Sequence, residues 1–248
     1  MRAGSSRLLI GALAVGLAVW LSACDSGKSV DPVASDDGRE IAWTAENSIV
    51  CLGTSLTFGY GSGCKQFPQP ASCDADSAYP ALLQERLRLP VVNMGVPLST
   101  SGDGLGRLER IFDHDPALVI LEFGGNDLIR GIEVETARVN MVAMIEGIQR
   151  RGVRVALLGF LHPDMIALTP PGHRLGRDVA EALAYYEMLA GLAEEYELSL
   201  VDYILEGIWW EADLMYDDVH PNGQGYLLME ENIFHGFEEI FQASGMIR

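Results

Sequence analysis

The stretch IVCLGTSLTFGYG, residues 49–61, runs as an apolar segment into Gly53 and then presents Thr54, Ser55, Leu56 and Thr57, with more glycines behind them. A glycine there lets the backbone turn sharply, and a helix starting just after it aims amide N–H groups at anything bound beside the serine. Taken alone, a serine in a Gly/Thr turn is a turn residue. What Ser55 does depends on what the rest of the chain brings to the same place.

Short β-branched runs recur at 48–53, 90–94, 117–123, 153–160 and 198–203, and helical spacing occupies 78–88, 103–112, 134–150, 177–196 and 223–243. Strands apolar on both faces, each followed by an amphipathic helix, predict an α/β fold: a three-layer α/β/α sandwich around a parallel sheet of about five strands. Ligand sites in such sheets form at the carboxyl ends of the strands. The polar motifs follow the strands accordingly. Behind the third comes FGGND, 123–127, whose Asn126 can offer a side-chain N–H. Near the C-terminus, YDDVHPNGQGY, 216–226, sets Asp217 three residues before His220. A carboxylate that close can fix the imidazole tautomer and leave the other ring nitrogen free to take a proton. Nucleophile, base, orienter and oxyanion donor are then all present. Each piece has a plainer alternative: Asn126-Asp127 as a helix cap, and Asp217 or Asp218 as the cap of the helix after Pro221.

In their joint order these motifs resemble the SGNH (GDSL) hydrolases, particularly small secreted arylesterases and lysophospholipase/thioesterase-like members, from about Ile49 to Ile240. LGTSLTFGYG is similar to the first family block, VVNMGVPLSTSGDGLGRL (91–108) to the second, LEFGGNDLIRG (121–131) to the third and YDDVHPNGQGY to the last. The resemblance implies a flavodoxin-like sheet and a serine esterase working through an acyl-enzyme on Ser55, with His220 as base and Asp217 as its partner. It makes Asn126 and the backbone N–H groups of Ser55 and Leu98 the oxyanion donors. Implied substrates are short or medium acyl or aryl esters, lysophospholipids or thioesters. A carbohydrate or peptidoglycan O-acetylesterase, or a catalytically weak ligand-binding lipoprotein, are the alternatives. The chain departs from the family twice: Thr54 stands where aspartate is usual, and Leu98 where a glycine is usual. Leucine could serve as a backbone donor at negative φ; with a small insertion, Gly102 takes the place instead.

No cofactor is expected. Acids near His114 and His162 lack the spacing of a metal motif, so no metal is expected either. His162, after the fourth strand, is read as pocket lining, and His114 and His173 as surface loop residues. Residues 61–76, including Phe67, are expected to form one pocket wall. Residues 204–216, with Trp209 and Trp210, are expected to form another; the alternative for the tryptophans is core packing.

The N-terminus has two arginines followed by an apolar run from Leu8 to Leu21, too short to span a membrane, and reads as a secretory signal. It ends in LSAC, which resembles a bacterial lipobox with Cys24 as the lipidated residue. The expected division is a signal peptide over 1–23, lipidated cysteine and tether over 24–45, and a hydrolase domain over 46–248. Its place is the bacterial cell envelope, anchored to a membrane by lipid, with the domain in the periplasm. There Cys64 and Cys73 are expected as a disulfide, the alternative being two free thiols. Removing residues 1–23 takes the formal charge from −18 to −20. So acidic a body disfavours nucleic acid, and a monomer acting on a small ester is expected.

Overall fold

The sequence predicts strands apolar enough to be covered on both sides, and the chain builds them into a single sheet. The computed structural model of the protein describes residues 33–34, 40–41, 44, 46–63, 77–175 and 178–248. Besides a two-residue antiparallel pair, Val33–Ala34 with Glu40–Ile41, its five-stranded sheet comprises β1 (Ser48–Gly53), β2 (Val91–Gly95), β3 (Pro116–Glu122), β4 (Arg154–Leu158) and β5 (Ser199–Val201). All are parallel, in the spatial order β2-β1-β3-β4-β5. This is the flavodoxin-like order, in which the winding reverses between β1 and β3 and a crevice opens at their carboxyl ends.

The helices are α1 (Ser55–Phe58), α2 (Tyr79–Arg86), α3 (Ser101–Leu105), α4 (Gly125–Arg130), α5 (Val134–Gln149), α6 (Pro163–Leu168), α7 (Val179–Glu195), α8 (Gly223–Gly236) and α9 (Glu238–Ala243), with a 3-10 turn over Leu108–His114. Every residue of β1 and β3 is buried, whereas the edge strands β2 and β5 are only partly covered. Alternation sends Ile49, Cys51, Leu118 and Ile120 to one face, where Leu83 of α2, Tyr226 of α8 and Phe241 of α9 close over them. It sends Val50, Leu52, Val119 and Leu121 to the other, under Met144 and Ile148 of α5 and Leu192 of α7. Truncating such a residue, for example Ile120→Ala, typically costs about 2–5 kcal/mol.

Two expected helices are divided. The span 103–112 becomes α3 and the 3-10 turn, because a capping box between Thr100 and Asp103 starts the helix among glycines that carry no apolar spacing. The span 223–243 breaks at Phe237, whose φ of −109° and ψ of 10° end α8. The helices α1, α4 and α6, four to six residues long, are too short to show a period. Cys24, Cys64, Phe67 and Cys73 lie outside the described residues. Among the described residues no helix is long and apolar enough to cross a membrane.

Candidate active site

Gly53 ends β1, and within one residue the chain enters α1, whose first residue is Ser55. Only glycine fits at 53, since a Cβ there would lie 2.1 Å from Thr57 Oγ1 and 2.8 Å from Glu122 Oε2. Thr54 occupies the N-cap position, but its hydroxyl does not cap the helix; it donates to Glu122 Oε2 at 2.8 Å. Glu122 is fully buried at the end of β3 and also accepts the Thr54 N–H at 2.9 Å and the Thr57 hydroxyl at 3.0 Å. Burial pushes its carboxyl up to about 7 against the pull of those donors. The sequence reading missed Glu122, although a lone acid in an otherwise apolar strand was the signal for it.

Ser55 Oγ lies 2.8 Å from His220 Nε2, across 165 residues of chain. His220 Nδ1 is 2.9 Å from each carboxylate oxygen of Asp217. An ionised carboxylate only accepts, so this geometry assigns the ring proton to Nδ1 and leaves Nε2 to take the proton of the serine. Burial raises the Asp217 carboxyl. The side-chain bond to His220, its charge and the backbone N–H groups of His220 and Val219 outweigh that, and the net shift is downward. The N–H of Tyr216 donates to the His220 carbonyl at 2.8 Å. Asn222 caps α8, so neither Asp217 nor Asp218 does, and its Nδ2 donates to the Asp213 carbonyl at 2.8 Å. The Tyr60 ring packs on the imidazole with centroids 4.7 Å apart. Gly61, at φ 91°, brings the loop after α1 against the loop of the base, where a Cβ would meet the Pro221 carbonyl at 2.7 Å.

Asn126 stands in the first turn of α4, whose N-cap is Gly124, so it is no cap itself. Its Nδ2 donates to the Ser99 carbonyl at 2.8 Å. A primary amide nitrogen carries two N–H bonds, and fixing one orients the other. Val96 to Ser99 form a turn closed by the Ser99 N–H on the Val96 carbonyl at 3.2 Å. Leu98 there has φ 65°, not the negative value expected of a leucine donor. The reason is turn chemistry: proline second and a positive φ third make a type II turn, where glycine is preferred. Gly102 lies within α3 and does not line the cavity. Arg130 Nη2 holds the Leu98 carbonyl at 2.7 Å. Arg107 ties the ends of β1 and β2 together, donating to the Met94 carbonyl at 2.7 Å and the Gly53 carbonyl at 3.1 Å.

Ser55, Leu98, Asn126, Asp217 and His220 line one cavity of about 280 Å³ at this edge of the sheet. Leu56, Ile129, Phe160 and Val219 give it apolar walls, and Arg174 contributes a charge. The tryptophans do not line it. Trp209 is packed in the core and Trp210 stands edge-on to Trp209 and to His173. Nor does His162, which accepts the Asp164 N–H at 3.2 Å as the cap of α6 and stacks on Tyr203. His173 lies in a loop, as expected, but its side chain is only 7% exposed and lies 3.2 Å from Asp218 Oδ2. Beyond Gly63, the wall expected from residues 61–76 falls outside the described residues.

With a base within hydrogen-bond reach of a hydroxyl and an amide donor on the same cavity, this sheet edge is built for acyl transfer, and the class is that of the serine hydrolases. More narrowly, the chain belongs to the GDSL-like lipase/acylhydrolase family, whose model matches residues 51–228. It is 29% identical over 184 residues to an arylesterase of Vibrio mimicus, covering 71% of this chain and 81% of that protein. It is 30% identical over 197 residues to the esterase TesA of Pseudomonas aeruginosa, covering 77% and 87%. A crystal structure of TesA matches with a TM-score of 0.65 at 25% identity, over 78% of this chain and 99% of that one. The protein is a carboxylic ester hydrolase of this family, acting on small esters.

Proposed function

We propose that Ser55 is the nucleophile, His220 the general base and Asp217 its orienting carboxylate. The observation that carries this is the relay itself, 2.8 Å from Ser55 Oγ to His220 Nε2 and 2.9 Å from Nδ1 to Asp217. As Oγ attacks the ester carbonyl carbon, Nε2 takes its proton, and Asp217 stabilises the imidazolium that forms. Asn126 and the Ser55 N–H hold the oxyanion. His220 returns the proton to the departing alkoxide, and water, activated by the same base, releases the acyl group. The apolar walls around the serine favour short or medium acyl and aryl esters over sugar esters. The protein works from the cell envelope as a lipid-anchored periplasmic enzyme, a reading supported by the N-terminal apolar run and LSAC ending at Cys24.

Substitution Ser55→Ala is expected to lower turnover of p-nitrophenyl butyrate by about 1000-fold or more and to abolish labelling by a fluorophosphonate probe. Survival of activity in that variant refutes the assignment.

A further inference from the structure

A helix N-cap normally offers its own side chain to the N–H of the second or third helical residue. In α1 the acceptor comes from another strand. Glu122 Oε2 accepts the Thr57 N–H at 3.4 Å, the Thr54 N–H at 2.9 Å, and the Thr54 and Thr57 hydroxyls at 2.8 and 3.0 Å. These donors bracket Ser55 from both sides, and the Ser55 N–H is not among them. From Glu122 the chain runs through Phe123, Gly124 and Gly125 directly to Asn126. One strand end therefore holds the turn that bears the attacking oxygen and delivers the amide beside it. Glu122 Oε1 meets the Thr54 hydroxyl, at 3.0 Å, which can accept as readily as donate. The Thr57 hydroxyl is backed by Tyr79 Oη at 3.2 Å.

We propose that Glu122 is a positioning residue for Ser55: its oxygens, acting as acceptors and not as a charge, clamp Thr54 and Thr57 and hold the serine hydroxyl against His220. The proposal rests on Ser55 being the nucleophile. It also explains Thr54, since the aspartate usual in the family would set a second carboxylate against Glu122 where threonine supplies a donor.

The test compares Glu122→Gln with Glu122→Asp in the full chain, measuring kcat and KM on p-nitrophenyl butyrate per site titrated with a fluorophosphonate. Glutamine can place its oxygen at Oε2 and its amide N–H toward the Thr54 hydroxyl, so kcat is expected within about threefold of wild type. Aspartate keeps the charge but falls one methylene short, so kcat is expected to drop at least about tenfold with KM within about twofold. Wild-type kcat in the aspartate variant, or an equal fall in both variants, overturns the proposal. If the aspartate variant does not fold, Thr57→Val takes its place: a lower kcat per titrated site at unchanged KM supports the clamp, and a wild-type value refutes it. Wild-type protein that folds but neither labels nor turns over refutes the nucleophile assignment and the clamp with it. Labelling and turnover alike in all three forms refute only the role of Glu122.

Discussion

Leu98 shows what a single residue can reveal and conceal. It holds φ 65° in a turn that asks for glycine, is 67% exposed, and sits on the cavity that contains Ser55. A left-handed leucine is strained by about 1–2 kcal/mol, while glycine loses about 0.5–1 kcal/mol more chain entropy on folding. Leu98→Gly is therefore expected to leave stability unchanged or raise it by up to about 1 kcal/mol, read from urea unfolding. A loss of more than about 1 kcal/mol contradicts that account. That Ser55, Asn126, Asp217 and His220 meet at one cavity was legible in the sequence, because their joint order after the first, third and last strands is rarer than any one of them. The φ of Leu98 was not, because Pro97 before it suits a turn with either sign of φ at the next residue. Glu122 was hidden inside a strand counted for its apolar neighbours.

Elements were legible in proportion to their length. Long helices on the sheet announce themselves by period, whereas α1 and α4 are held by tertiary bonds from Glu122 and to Ser99 that no local pattern encodes, and α6 is too short to show a period. The turn of α1 depends on a carboxylate from β3, and that dependence has a pH signature. The Glu122 carboxyl is raised from its ordinary 4.5 to about 7, so folding favours its protonated form. Relative to glutamine, its stabilising contribution is fully present below about pH 4.5 and is lost as pH rises through about 7, a span of about 3 kcal/mol. Tyr79 and Tyr226, which face it, are pushed further up by burial and stay neutral in that window. Denaturant unfolding of wild type and Glu122→Gln across this range is expected to show the difference between them moving by about that amount in favour of the variant. A difference independent of pH rules the linkage out.

At the scale of the molecule, the proposed anchor is the N-terminal LSAC, which ends at Cys24. Metabolic labelling with an alkyne fatty acid in a bacterial host is expected to tag the wild-type chain and not Cys24→Ala; equal tagging of both removes Cys24 as the anchor. Fold class was readable at this scale, since apolar strands alternating with amphipathic helices admit few other arrangements. The walls of the cavity were not, because aromatic residues near a triad in sequence are as able to face the core as the site, and Trp209 does. The serine leaves the first strand of the sheet, while its base sits beyond the last, and the two loops meet where Gly61 passes the Pro221 carbonyl. A chain without that last segment can thus carry Ser55 and all five strands and still lack its base. Only when the segment bearing Asp217 and His220 docks does the relay close, so catalytic competence reports that this segment has folded onto the sheet.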